Sequence, residues 1–268
     1  MNRQNMGAVI ESSSRKVAGL INSRVLALVL VCTVSFMNVL DITVVSVALG
    51  DIGKSLGASQ SELQWVVNAY TLPLGALLMS AATLSRSLGR LRLFRWGLVL
   101  FTVGSAVCAL APSMLVLNAF RALQAVGGAI FLGVGIPMIS DRYAAGRERA
   151  RATGIYGLIS GLAIAVGPLA GGGLVLVAGW RSIFWINVPV GVASWLASWY
   201  VKDRSTDRNN SGVDWLGTLL AILAVGAVTV VLLEGAAWGW TSARTLGGVA
   251  IGLAAMGLFM AVERRSDS

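Results

Sequence analysis

Eight long apolar stretches run through this sequence, and a chain built that way has few folds open to it. They cover residues 25–49, 62–84, 93–111, 114–139, 152–178, 182–201, 215–234 and 246–262. Most lie near the ~20 residues that a helix needs to cross the hydrocarbon core of a bilayer. Lipid supplies no partner for a backbone N–H or C=O, so only helices and closed barrels can span it. These runs are too long for barrel strands and do not alternate apolar with polar residues. The expected fold is therefore all-α, a polytopic transmembrane bundle of about eight helices.

Composition agrees. Only 12% of the residues are charged and the mean hydropathy is +0.77. A soluble domain carries about 25% charged residues, enough to cover its surface. The net charge of +9 does not imply nucleic acid, because the basic residues sit in short gaps between the apolar runs. Of the 21 Lys and Arg, seventeen fall on one side of the expected membrane, including Arg86, Arg90, Arg92, Arg95, Arg142, Arg147, Arg149 and Arg151. Three (Lys54, Arg181 and Arg244) fall on the other, and Arg121 lies within a span. The positive-inside rule then places both termini in the cytoplasm of a multi-pass protein of the plasma (inner) membrane.

The divisions expected are a polar, irregular tail over 1–23, six helices over 24–201, a linker over 202–214, and two further helices with a short tail over 215–268. The linker reads KDRSTDRNNSGVD and carries the turn signals Asn-Asn and Ser-Gly. The N-terminal segment is not a cleavable signal, because the apolar run behind it is too long for a signal core. Cys32 and Cys108 each lie inside an apolar run and form no metal-ligand or disulfide spacing. No P-loop, dinucleotide fingerprint, H-E-x-x-H or nucleophile elbow occurs. No cofactor, metal or enzymatic activity is expected.

Two charges stand inside spans. Asp41 lies in FMNVLDITVV and Arg121 in LNAFRALQAV. A carboxylate at the bilayer centre costs about 2.5–3.5 kcal/mol on insertion scales, so it must face protein or water. At 1.5 Å per residue Asp41 lies about 12 Å, and Arg121 about 10 Å, from the outer ends of their expected helices. Opposite charges at matching depth are natural partners. The pair reads either as a proton or cation site or as a structural ion pair. With no histidine in the chain, proton chemistry would fall to carboxylates.

The fifth stretch, GIYGLISGLAIAVGPLAGGGLVLVAG, places Gly157 and Gly161 one turn apart, and likewise Ala163, Gly167 and Gly171. Such small-residue stripes let helices approach closely. Pro168 removes a backbone donor and can kink the helix.

Several segments resemble the major facilitator superfamily, specifically its 14-helix drug:proton antiporters. Leu40-Asp41-Ile42-Thr43-Val44-Val45 is similar to the family's helix 1 signature. Arg121, Gln124 and Gly127 resemble its helix 4 motif. Gly167-Pro168-Leu169-Ala170-Gly171-Gly172 resembles its antiporter motif in helix 5. Gly179-Trp180-Arg181 and Phe184-Trp185-Ile186-Asn187-Val188-Pro189 resemble its helix 5–6 junction. The resemblance implies proton-coupled export of a lipophilic small molecule, with Asp41 as coupling carboxylate, Arg121 tuning it, and Gly167, Pro168, Gly171 and Gly172 packing helix 5 closely against a neighbour. It also implies two inverted three-helix repeats within the first six helices.

One motif departs from the pattern. The family's loop between helices 2 and 3 reads roughly G-x-L-x-D-R-x-G-R, and its acid is thought to lock a cytoplasmic gate. Here Arg86 stands at the acidic position and Ser87 at the next, while Gly89 and Arg90 are kept. The family also has a second six-helix half. This chain carries the first half and the two joining helices, and its Met1 leads to the expectation that the absent part is C-terminal. The expected partners are the lipid bilayer, a lipophilic small molecule and a C-terminal half or second copy, with no nucleic acid. The competing expectation is a non-transporting membrane protein.

Overall fold

A computed structural model describes residues 3–203 and 215–266, with backbone alone for 3–22, 263–266 and a few positions between. Among the described residues there is no strand. The helices are α1 (Arg3–Leu56), α2 (Gln60–Leu88), α3 (Arg90–Leu110), α4 (Met114–Ser140), α5 (Arg147–Ala178), α6 (Ser182–Trp185), α7 (Asn187–Ser198), α8 (Trp215–Trp238) and α9 (Ala243–Ser266). Five helical segments are individually long and apolar enough to cross a membrane, and α2 is a sixth if its 55° bend is one span. Two shorter apolar pieces, 182–198 and 223–232, fall within the remaining two expected spans.

Local chemistry sets the ends. Ser59 caps α2 through a reciprocal box: its side chain accepts from the Glu62 N–H, and the Glu62 carboxylate accepts from the Ser59 N–H at 2.9 Å. The helix therefore starts at Gln60, two residues before its expected start. One residue, Gly89, separates α2 from α3, and its φ of 90° lies where a Cβ is unfavourable.

Two expectations are corrected. The segment 1–23 is not irregular: α1 is helical from Arg3, and its membrane-length apolar part begins at Ser23. That stretch contains no proline and many good helix formers, so a polar helix continues the span. The sixth stretch is not one helix over 182–201. It breaks at Ile186, because the ring of Pro189 conflicts with the carbonyl four residues back, at Trp185. The expected linker falls mostly on 204–214, outside the described residues.

The packing order is regular. Here α1 lies along α5, α2 along α4, and α4 also along α3, while α3 packs on α7 and α1 touches α4 and the α6–α7 span. Exchanging the first three spans for the next three returns the same set of neighbours. The α1–α5 contact maps onto α4–α2, and α3–α4 maps onto the α6–α7 span with α1. Successive spans alternate direction, so spans three apart run oppositely. This is the inverted-repeat arrangement.

The core is held by close backbone approach. A methyl group on Gly127 would lie 2.7 Å from the Gly97 carbonyl oxygen and 2.7 Å from the Phe101 nitrogen. A methyl on Gly133 would lie 2.9 Å from the Leu78 carbonyl oxygen. Thus α4 is threaded between α3 and α2 at the distance small residues permit. Phe101 and Phe131 fill the space beside it, with ring centroids 5.3 Å apart.

The last two helices form a hairpin that packs on α2 alone among the other described elements. They leave α5 open. Its Leu158, Leu169 and Leu176 are 72%, 80% and 88% exposed. Below this face a pocket of about 390 Å³ lies between α1 and α5, lined by Leu28, Val29, Phe36, Ile155, Ile159 and Leu162 with Cys32 and Thr33.

Gly127→Ala should be among the most damaging small substitutions, because backbone cannot move aside as a side chain can. We expect a loss of about 3 kcal/mol, the upper end for overpacking, read as a lower melting temperature of the purified chain in detergent. Gly226→Ala in α8, where a Cβ meets open space, should leave the melting temperature unchanged or raise it.

Candidate functional site

Both intramembrane charges lie inside the bundle and touch. Arg121 is 1% and Asp41 2% exposed. The Arg121 Nη1 donates to the Asp41 Oδ2 at 2.5 Å. The match in depth survives although α1 runs on to Leu56, which puts Asp41 near the middle of its membrane segment. They are enclosed by protein, one of the two surroundings open to a charge in a span.

The pair is the centre of a larger network. Asp41 Oδ1 accepts from Gln124 Nε2 at 3.1 Å and from Asn187 Nδ2 at 2.8 Å. Arg121 also donates from Nη1 to Gln124 Oε1 at 3.0 Å and from Nε to the Val66 carbonyl at 3.2 Å. Asn187 donates to the Ser105 hydroxyl, which in turn donates to the Phe184 carbonyl at 2.9 Å. The Tyr70 hydroxyl donates to Asn38. The Tyr70 ring centre lies 4.1 Å and the Phe184 ring centre 5.7 Å from the guanidinium carbon, both within cation–π range.

Residues from α1, α2, α3, α4 and the α6–α7 span therefore join one network, in which α4 and α7 reach the carboxylate directly.

Sequence reasoning singled out the two charges and, through the helix 4 resemblance, Gln124. It did not single out Asn38, Tyr70, Ser105 or Asn187 as site residues. The available signal was their polarity within apolar runs, since polar side chains in spans turn toward protein.

The helix 5 residues separate into two groups. Gly167 and Gly171 are buried against α1, where a methyl would strike the Thr43 hydroxyl and come 2.9 Å from Val44 Cγ1. Ala163 is buried on the same stripe. Pro168 is exposed, and a methyl on Gly172 would meet nothing within 4 Å, so Gly172 packs closely on nothing among the described residues. Gly157 and Gly161 likewise meet open space, so that second stripe packs on nothing among the described residues. A hydrogen bond between Ser35 and Ser160 at 2.9 Å adds a polar tie between α1 and α5.

The loop motif also divides. Arg90 forms an ion pair with Asp141 at the end of α4 and donates to the Pro137 carbonyl at 3.1 Å. Gly89 makes the turn. Arg86 is exposed and, among the described residues, makes no hydrogen bond or ion pair. Three described basic residues that were assigned to one side lie together at one end of the bundle. There Arg24 pairs with Glu148, Arg95 binds Ser198, and Arg142 donates to the Lys202 carbonyl at 3.0 Å.

Breaking one side of the central pair leaves a buried uncompensated charge. Arg121→Ala and Asp41→Asn should each lower stability by about 3–5 kcal/mol. The double variant Asp41→Asn with Arg121→Gln should recover a substantial part of that loss in thermal unfolding. Additive losses would mean that the two side chains do not depend on each other. At α5, Gly171→Val should lower the melting temperature and Gly172→Val should not.

A model of the Major Facilitator Superfamily matches residues 31–263. The multidrug resistance protein Stp of Mycobacterium tuberculosis is 41% identical over 236 residues, covering 87% of this chain and 43% of that protein. The methylenomycin A resistance protein of Bacillus subtilis is 33% identical over 261 residues, covering 97% of this chain and 54% of that protein. The fold is similar to a bacterial homolog of the human lysosomal transporter Spinster, inward-facing and occupied, with TM-score 0.58, 20% identity and coverage of 87% of this chain and 59% of that one. It is also similar to the peptide transporter POT in complex with sulfate, with TM-score 0.61, 16% identity and coverage of 82% and 48%. The chain spans about half the length of these curated relatives, and with a family match running through nearly all of its transmembrane helices it belongs to the Major Facilitator Superfamily.

Proposed function

We propose that this chain supplies one half of a proton-coupled exporter of lipophilic small molecules and works against a C-terminal half or a second copy. The observation that carries this reading is the enclosed Asp41, held by Arg121, Gln124 and Asn187 where five spans converge. A carboxylate this costly to bury marks an ion pathway. Protonating it would remove the attraction that ties α1 to α4, so its charge state is linked to helix packing. The apolar pocket between α1 and α5 fits a lipophilic substrate, and the relatives named for drug resistance point to the same class. Alternating access needs two halves rocking about a midplane site, and the open apolar face of α5 is where a second half would pack. The protein lies in the plasma membrane with both termini and the basic end of the bundle in the cytoplasm.

A second reading is a membrane protein that does not transport. Arg86 favours it, because a cation now stands where the family pattern has a gate-locking acid, and Arg90 nearby repels rather than binds it.

Dye efflux into inverted vesicles under an imposed proton gradient separates the two. The chain alone should give no gradient-dependent movement. Supplying the C-terminal half of a relative in trans should restore it, and Asp41→Asn should then abolish coupling while the protein still inserts. Transport by the chain alone would overturn the half-transporter reading, and failure of every complemented pairing with folded protein would favour the non-transporting one.

A further inference from the structure

Away from α8 and α9, which touch neither of them, α3 and α7 form a groove. It measures about 490 Å³, and its lining joins Arg92, Arg95 and Asp203 to Trp96, Val99, Trp195 and Trp199. The sequence alone assigned Arg92 and Arg95 to topology. The fold gives them a shape as well.

The groove is graded along its length. Arg92 to Val99 covers two turns of α3, or about 10 Å along the membrane normal. Its charged end lies at the basic end of the bundle, and its other end is aromatic and aliphatic. The helices on both sides continue into exposed apolar surface, with Val103 and Leu110 on α3 and Val192 and Leu196 on α7. That surface belongs to the acyl region. Tryptophan and arginine together at this level mark the interface between head groups and chains.

The charged end is built rather than accidental. The Arg95 guanidinium is fixed by donating from Nε to the Ser198 hydroxyl at 3.1 Å and from Nη2 to the Ser198 carbonyl at 2.9 Å. It stacks 4.1 Å from the centre of the Trp199 ring. Its Nη1 carries no hydrogen bond among those described, and Asp203 acts on the guanidinium as a nearby opposite charge. Arg92 is exposed and has no hydrogen-bond or ion-pair partner among the described residues. Asp203 is the one acid in the lining, so the groove holds two guanidinium groups against one carboxylate.

We infer that this groove binds the head group of an anionic phospholipid, with the phosphodiester between Arg92 and Arg95 and the upper acyl chains along Trp96, Val99 and Trp195. Guanidinium groups suit phosphate oxygens. A free phosphate would use only one end of the groove, whereas a phospholipid matches both the charge and the apolar lining. The residual positive charge favours phosphatidylglycerol over a zwitterionic lipid. The inference does not depend on transport activity.

Native mass spectrometry of the detergent-purified chain tests this, with phosphatidylglycerol, phosphatidylethanolamine and glycerol phosphate titrated separately. One phosphatidylglycerol should be retained in preference to phosphatidylethanolamine. Arg92→Gln should weaken it about fivefold and Arg92→Glu about 25-fold, at roughly one interfacial charge per step. Asp203→Asn should strengthen it. Arg92 holds no neighbour in place, so these variants should fold, and an unchanged melting temperature without lipid checks that they do. Equal retention of both lipids, binding untouched by Arg92→Glu, or displacement by glycerol phosphate alone would overturn the assignment.

Discussion

A single carboxylate buried near the middle of the membrane governs how the six-helix bundle is put together. Asp41 cannot be left alone in a medium without water, so each of its oxygens must find a donor. Arg121 and Gln124 from α4 and Asn187 from α7 supply them. Arg121 in turn needs acceptors and a ring face, which bring in the Val66 carbonyl and Tyr70 of α2. Satisfying one charge therefore fixes the relative positions of the first, second, fourth and sixth spans. Hydrophobic burial cannot do this in lipid, where an apolar side chain is as well solvated outside as inside.

The same condition accounts for what could be read in the sequence. The spans were legible because hydropathy is a direct physical signal of lipid contact. Asp41 and Arg121 were legible because a charge in such a run is expensive enough to demand a reason. Neutral polar residues carry a weaker signal. Ser105 and Asn187 cost little enough in a helix that their presence does not single them out, and only the fold shows that they share one hydrogen-bond chain. The polar helix from Arg3 escaped notice for the opposite reason: it has no hydropathy signature. The small-residue spacing at Gly157 and Gly161 states that a helix could approach there, and none among the described residues does. Pro189 could have located the break at Ile186, since its conflict with Trp185 is a matter of counting four residues back.

The two ends of the bundle are held differently. At the basic end, arginines reach backbone carbonyls, as with Arg95 at Ser198 and Arg142 at Met138 and Lys202. At the other end, Arg181 binds the Ala111 carbonyl and Trp180 packs edge-on to Phe184. The unequal distribution of charge that orients the chain also ties the ends of its helices. Substituting a basic residue there alters both insertion and packing, and the two effects need separate readouts.

The contact between α3 and α4 has a mechanical meaning. Where Gly127 meets the backbone of Gly97 and Phe101, no layer of side chains lies between the helices to act as a bearing. Side chains can change rotamer and let one helix slide past another, whereas abutting peptide groups cannot. These two helices are consequently a stiff beam at the centre of the bundle. Compliance is confined to surfaces where side chains still project, and the most heavily projecting of these is the outer flank of α5.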